Sequence, residues 1–442
     1  MQQKKFTTLN SWSKLDKKYK LRSNLSSYSY FFLLGWVLSS CGLDQAKETT
    51  KQDYKLSKDT IDRPAAKTIH KIKLSFVGDI MGHGDQIRSA YHPDTKTYNY
   101  EPCFRYVKPL LEEADLAIGN LEVTLSSKGK YTGYPRFRSP TALGIALKEA
   151  GFDFLVTANN HSNDNNLYGV LHTINTISEI GFIHTGTFRD SAERKKTYPL
   201  IVEREADGVV FKLAFLNYTY STNGIPTQAP SVVNRIEEAS MLRDIAEAKK
   251  AKPDMIIAIM HWGAEYRLNE SKRQQQLTQM LWKNGVDVVI GAHPHVIEPI
   301  KMDTIYTADS SAYKEKLVAY SLGNFISNQS RTNTDIGLIF ELELIKDSKL
   351  NKTRIGEHDY ILVWRYIHNR HQPVAKRTHT VLPVTAFEND TTNFFKMPVS
   401  NLKIMQKTAQ RMREHLSKWQ SKERRVSFSE IVKENTPNIE IK

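Results

Sequence analysis

Cysteine is almost absent. The chain of 442 residues has only two, Cys41 and Cys103, so no disulfide framework can be built. Long apolar runs are also missing. After the N-terminal region there is no stretch of about 18 or more apolar residues, and nothing beyond that region is expected to span a bilayer. No internal repeat occurs, and low complexity is confined to one short polar segment. A strong positive field over the body is lacking too, although the formal net charge is +14. Residues 1–40 hold seven Lys/Arg against one Asp, and residues 401–442 hold ten Lys/Arg against five Glu. The stretch between is only mildly basic, which argues against a nucleic-acid partner. The basic C-terminal region is better suited to lie near an anionic membrane surface.

The N-terminus has the grammar of an export signal. Lys4, Lys5, Lys14, Lys17, Lys18, Lys20 and Arg22 precede the apolar segment YSYFFLLGWVLSSC, Tyr28 to Cys41, which is too short to span comfortably. Its end, Leu38-Ser39-Ser40-Cys41, resembles the lipobox of bacterial lipoproteins. The resemblance implies lipidation of Cys41, cleavage before it, and an exported chain anchored to the bacterial membrane. The plainer alternative is a buried helix that ends in a chance cysteine. A single acyl chain binds weakly and several bind stably, which the multiple chains of a lipoprotein satisfy. Cys103 is then expected to be a small buried hydrophobe.

The expected organisation is a signal peptide over 1–40, a flexible polar tether over 41–68, a folded domain over 69–395 and a basic helical extension over 396–442. Within the folded part, KIKLSFVGDIM reads as a strand ending in a polar turn, and YVKPLLEEADLAIGNLEVTL, ALGIALKEAGFDFLVTANNH, SMLRDIAEAKKAKPDMIIAIMHWGAEY and QQLTQMLWKNGVDVVIGAHPHV repeat one order: helix, then apolar strand, then polar turn. This alternation predicts an α/β core. After Tyr320 the texture becomes strands and turns, expected to complete a second sheet. Leu402, Met405, Ala409, Met412, Leu416 and Trp419 step by three and four along one helix face. That face is expected to pack on the domain, with a partner or membrane contact as the alternative.

Five polar clusters stand where strands end, the edge at which α/β folds build their sites. They are Asp79, His83 and Asp85; Asn120 and Glu122; Asn159, Asn160, His161 and Asp164; His261 and Glu265; and His293 with His295. One aspartate after a strand is usually a helix cap, and one histidine is usually a hydrogen-bonded core residue. Five such clusters at five strand ends point instead to a divalent metal, because imidazole with carboxylate suits Zn, Mn or Fe. Two ions about 3.5–4 Å apart would clamp a phosphoryl group.

The motifs GDIM, GNLE, NNHSND, HWGAEY, GAHPHV and YSLGNF resemble those of the CapA family, the poly-γ-glutamate capsule biosynthesis proteins. That family is related to the calcineurin-like metallophosphoesterases. The resemblance implies a metallophosphoesterase-like four-layer sandwich, two mixed β-sheets flanked by helices, with one or two ions of Mn, Fe or Zn. It implies Asp79, Asn120, Asn160, His261, His293 and His295 as metal ligands and His161 as the group that protonates the leaving oxygen. Two positions depart from the pattern. Met81 stands where a histidine is expected, and Asn120 where a bridging aspartate is expected. Glu122 or His83 is the expected replacement ligand. Arg136 and Arg138 are candidates to fork onto an anionic substrate, or else are loop surface charges. Asn324 is expected to line the cleft, Glu265 to orient His261, and His184 to be structural.

Three functions fit these residues. The first is a lipid-anchored protein that makes, exports or anchors an anionic capsular polymer, with a ligase and an integral membrane protein as partners and a metal-dependent phosphoesterase-like site. The second is a general secreted phosphoesterase acting on phosphorylated substrates. The third is a non-catalytic scaffold that binds a polyanion.

Overall fold

The computed structural model describes residues 68–306, 313–389, 395–419 and 421–432. The expected signal, the lipobox-like segment with Cys41 and residues 41–67 of the expected tether lie outside these residues. Among the described residues no helix is long and apolar enough to cross a membrane.

The chain starts with β1 (Ile69–Ile80), β2 (Leu116–Leu121), helix α1 (Thr141–Glu149), β3 (Phe154–Val156), α2 (Asn166–Ile180) and β4 (Ile183–Thr185). There follow β5 (Leu200–Ala206), β6 (Val209–Thr219), α3 (Glu238–Lys250), β7 (Met255–His261), α4 (Lys272–Lys283), β8 (Val288–Ala292), β9 (Ile300–Tyr306) and β10 (Tyr313–Ala319). The last elements are β11 (Asn324–Ile326), β12 (Ile336–Asp347), β13 (Lys352–His368), β14 (Thr378–Pro383) and α5 (Val399–Leu416).

The strands form two large mixed sheets. The first has the order β14-β13-β12-β1-β2-β3-β4, with β11 also paired to β1; the second has the order β5-β6-β7-β8-β10-β9. β1 through β4 are parallel to one another, as are β6, β7, β8 and β10, while β12, β13 and β14 pair antiparallel. Alternation along each strand assigns its faces. Leu213 and Phe215 of β6 and Ile257 and Ile259 of β7 join the main core with Leu74 and Phe76 of β1. Ala214, Leu216, Ala258 and Met260 point the other way, onto Met241 and Ile245 of α3 and Leu277 and Leu281 of α4. Phe154 meets Phe215 edge-on across the two sheets at 5.0 Å. Each such fully buried side chain contributes about 1.5–3 kcal/mol. The two mixed sheets flanked by helices are those expected from the motifs.

The antiparallel strands after Tyr320 extend the first sheet beside β1 rather than forming a sheet of their own. The apolar face of α5 packs inward: Met405, Ala409, Met412 and Leu416 belong to the main core, and Leu402 and Trp419 pack against it. Cys103 is a buried free thiol in the same core.

Parallel pairing brings the strand ends together. Asp79 pairs in register with Asn120 and with Asn324, and His261 with Ala292. Close approach is enforced by glycine. A Cβ on Gly78 would lie 1.9 Å from the Gly323 carbonyl oxygen, and one on Gly291 would lie 1.8 Å from that of Tyr320.

Candidate metal centre

The C-terminal ends of β1, β2, β7 and β8 deliver Asp79, Glu122, His261, His293 and His295 to one buried spot, each at most 2% exposed. Donor atoms of Glu122, His261 and His293 lie within 4.8 Å of one another, as do those of Asp79, Glu122 and His295. A third group joins His293 and His295 to the exposed Glu265. Glu265, expected beside His261, thus lies with the paired histidines.

Hydrogen bonds fix the ring orientations. Asn324 donates its amide to Gln329 Oε1 and to the Thr334 carbonyl, both at 2.9 Å, so its oxygen faces His295 Nδ1 at 3.0 Å. Asp79 Oδ2 lies 3.0 Å from the same nitrogen. Two acceptors on Nδ1 place the proton there and leave Nε2 bare, 3.9 Å from Glu122 Oε1. Asn120 donates to Asp79 Oδ1 at 2.8 Å and to His261 Nδ1 at 3.2 Å, while its oxygen accepts from Asn159 at 3.3 Å. His261 Nε2 then donates to Asn160 Oδ1 at 2.8 Å, with Glu122 Oε1 at 3.5 Å.

The Asp79 carboxyl is pulled two ways. Burial alone would raise it, but the hydrogen bond and charge of His295, helped by His261 and Asn120, hold it below the usual carboxylate range. Glu122 is pushed far up by burial and by the neighbouring Asp79 charge. His293 is lowered to about 3 by burial and by His295, and His261 also falls well below its ordinary value through burial and His293. The metal-free centre therefore sets an acid held toward its ionised form against one pushed toward its protonated form, beside His261 and His293 pushed toward neutral imidazole. A divalent cation reverses the preference of Glu122 and stabilises its carboxylate.

The residues fit such a cation. Both oxygens of Glu122 and Nδ1 of His293 are buried with no hydrogen-bond partner. Buried polar atoms are nearly always paired, and three orphans of the metal-ligating type in one cluster are lone pairs held ready. The backbone is strained at the same place. His293 has φ 100° and His295 φ 59°, a region that non-glycine residues enter rarely and mostly where function holds them. His293 N–H is fixed on Asp79 at 3.2 Å, the Pro294 carbonyl accepts from Tyr266 N–H at 2.8 Å, and Tyr220 lies 4.5 Å from the His293 ring.

The two departures from the motif pattern have clear local fates. Met81 is buried in the main core, and Asn120 is a hydrogen-bond hub. Glu122, whose N–H donates to the Ile80 carbonyl at 3.0 Å, is the acid beside Asp79. Nδ1 of His83 lies 3.3 Å from Gln86 Oε1 and accepts from Asn328 N–H at 3.2 Å, and none of the three metal-donor groups includes it.

His161 stands next to Asn160. Its Nδ1 lies 2.7 Å from Asp164 Oδ2, which also accepts from Phe137 N–H at 2.6 Å, and the Phe137 ring meets the imidazole edge-on at 4.6 Å. Asp164 thereby directs Nε2 of His161 outward. Its signal was the three-residue spacing in NNHSND, which places an acid beside a histidine across one turn. Arg136 is tied to the same turn, donating to the Asp164 carbonyl at 2.6 Å. Arg138 leans on the Tyr168 ring at 5.8 Å and is not among the side chains brought to the centre. His184 meets Ser178 at 2.9 Å, away from the cluster. Asn159, Tyr220 and Tyr266 complete the surroundings; aromatic residues in loops carried no sequence pattern that would single them out.

A family model described as bacterial capsule synthesis protein PGA_cap matches residues 73–329. The capsule biosynthesis protein CapA of Bacillus anthracis is 30% identical over 286 residues, covering 62% of this chain and 64% of that protein. The PGA biosynthesis protein CapA of Bacillus subtilis (strain 168) is 27% identical over 296 residues, covering 65% of this chain and 72% of that protein. The chain thus spans 64% of the length of the Bacillus anthracis relative. Among solved structures, the NAD nucleotidase of Haemophilus influenzae aligns with TM-score 0.41 and 12% identity over 68% of this chain and 53% of that one. The 5'-nucleotidase precursor of Thermus thermophilus aligns with TM-score 0.40 and 10% identity over 66% of this chain and 54% of that one. Scores this low carry no argument about chemistry.

Proposed function

Since the chain belongs to the bacterial capsule synthesis family PGA_cap, we propose that it acts in synthesis, export or anchoring of an anionic capsular polymer through a metal-dependent, phosphoesterase-like site. The observation that carries this reading is the orphaned trio, the two Glu122 oxygens and His293 Nδ1. Glu122, His261 and His293 would hold one divalent ion, with Asp79, His295, Asn160 and Glu265 as the donors for a second. When bound, the ion supplies Lewis-acid polarisation of a phosphoryl or related acyl centre and an activated water.

The chain's own residues do the rest. Asp79 keeps the Nδ1 proton on His295 and anchors the His293 backbone. Asn120 orients His261 by donating to its Nδ1, and Nε2, which donates to Asn160 in the metal-free centre, would give up that proton to bind the ion. Asp164 holds the Nδ1 proton of His161 and would stabilise the doubly protonated ring, whose Nε2–H could then pass to the departing oxygen and leave a neutral imidazole, the usual division between an acid and the group that orients it. Arg136 braces that turn through the Asp164 carbonyl. Cys41 would carry the lipid that keeps the site at the membrane, where a ligase and an integral membrane protein would be its partners.

The test is elemental analysis of the full chain, purified in detergent, beside His293→Ala, with both assayed on a generic phosphodiester and phosphomonoester. Near-stoichiometric Mn, Fe or Zn that is lost in the variant together with hydrolysis is the expected result. A folded protein that takes up no metal after supplementation would overturn the catalytic reading and leave a polymer-binding scaffold. Cys41→Ala is expected to move the protein from the membrane to the soluble fraction.

A further inference from the structure

A second concave feature lies beside the metal centre. Residues 329–335, the end of β13 and one side of α5 enclose a cavity of about 330 Å³. Its walls are charged with one sign. Arg331, Arg365, Arg370, Lys407 and Arg411 line it against a single acid, Asp335, and Asp335 Oδ2 already accepts from Trp364 Nε1 at 2.9 Å. The partners these cations have are neutral. Arg365 donates to the Gln329 carbonyl at 2.8 Å, Arg411 donates to Thr408 Oγ1 at 3.1 Å, and Arg331 sits 4.3 Å over the Tyr266 ring. Among the described residues no carboxylate forms an ion pair with any of the five. Nε of Arg365 and Nε of Arg411 are buried with no partner at all.

Such a cavity is costly without an occupant. Arg365 is 7% exposed, and an arginine cannot escape burial by losing its proton. Elsewhere this chain pairs a partly buried arginine with acids: Arg413 meets both Glu388 and Glu423. Among the described residues nothing supplies the neutralising charge, and guanidinium forks are the groups that take up carboxylate or phosphate in pairs.

The cavity adjoins the centre through two links. Gln329 in its wall accepts from Asn324, whose oxygen faces His295. Arg331 covers Tyr266, whose ring lies 6.1 Å from that of His295. The apolar Ile367 and Ile404 line the cavity as well. Five cations together with aliphatic side chains in one cavity match repeated anions on a hydrocarbon frame better than one compact anion.

We propose that this cavity is a subsite for the carboxylate groups of an anionic polymer, gripping the strand next to the metal centre. The assignment rests on the reading of the centre given above, and what it adds is the place where the polymer would be held.

The test measures binding of a short fluorescent oligoglutamate to the full chain in detergent, with and without EDTA. Arg370→Glu with Lys407→Glu reverses two exposed cavity charges. Lys272→Glu with Lys283→Glu, on exposed α4 positions, makes the same change of net charge away from it. The cavity pair is expected to weaken binding on the order of tenfold or more, about 1.4 kcal/mol or more, and the α4 pair by less than about twofold. Equal weakening by both pairs, no weakening by either, or no binding by the parent chain would overturn the proposal. Inorganic phosphate displacing the oligomer at matching concentration would assign the cavity to a phosphate group and overturn the polycarboxylate. A chain that lacks metal but still binds through the cavity removes only the reading of the centre; one that keeps its metal but binds indifferently to the reversal removes only the subsite.

Discussion

The parallel strands carry acids at both ends, and the two ends treat them in opposite ways. At the N-terminal end, Asp115, Asp153, Asp254 and Asp287 each stand just before a strand and accept a backbone N–H from the neighbouring strand, those of Lys73, Ala117, Lys212 and Ile256, at 2.7–2.9 Å. Two of them hold a lysine as well. Asp287 meets Lys316 at 2.7 Å and Asp254 meets Lys346 at 2.8 Å. At the C-terminal end, Glu122 is buried like Asp287, yet its oxygens accept nothing. Strand-end position and burial alone do not separate a structural acid from a functional one. Whether the carboxylate's lone pairs are spent does.

That contrast can be broken at either end. The largest effect on stability is expected at the satisfied end. Asp287→Ala leaves Lys316 buried without its counter-charge and should cost about 3–5 kcal/mol in denaturant unfolding, with metal content unchanged. Glu122→Leu should do the reverse. It should weaken metal retention by more than about 100-fold, beyond the usual loss at an outer-shell partner. Measured in EDTA, its melting temperature should not fall, because an unpaired buried acid has been replaced by an apolar side chain. If Glu122→Leu destabilised the metal-free chain as Asp287→Ala does, the contrast would fail.

Asp164→Asn sharpens the comparison within the functional end. Metal should stay, and turnover of a phosphodiester should drop on the order of 10²-fold, because His161 loses its orienting acceptor. The smallest effect is expected at His379, which is buried like the site histidines but partnered by Asn328 at 3.1 Å and Ser89 at 3.2 Å. Burial, chiefly, lowers it from 6.5 to about 3. It stays neutral in the fold while the unfolded chain takes up a proton, so its contribution is full above pH 6.5 and is lost as pH falls toward about 3. His379→Gln should flatten the acid limb of the stability curve in that window, with metal content unmoved.

Much of this was legible before any coordinates. Apolar strands ending in Asp79, Asn120, Asn160, His261 and His293 announced both the α/β core and the edge where the site lies, because a parallel sheet converts a repeated sequence order into one spatial edge. The N-terminal aspartates were visible in the same way, in EADLAIGN, GFDFLVTAN, KPDMIIAIM and GVDVVIGAH, but only the register of neighbouring strands reveals that each one caps a backbone N–H. The basic cavity could not be read. It needs the 329–335 loop, the end of β13 and α5 to meet, and no local pattern records that meeting. The same holds for Arg136 and Arg138: two residues apart on one loop, they look equivalent in sequence, yet one braces the His161 turn and the other lies on Tyr168.

The left-handed backbone of His293 and His295 has a consequence for the protein's life in the cell. Two such residues cost of order 1–3 kcal/mol each, and the unpaired Glu122 adds to that debt. Bound metal offsets it, because a ligand that binds only the folded chain raises stability with its concentration. Copies that fold in metal-poor conditions should therefore open more often and be the first that proteases clear. Abundance of the protein is then expected to follow metal supply in a pulse-chase under chelation, and Glu122→Leu should uncouple the two.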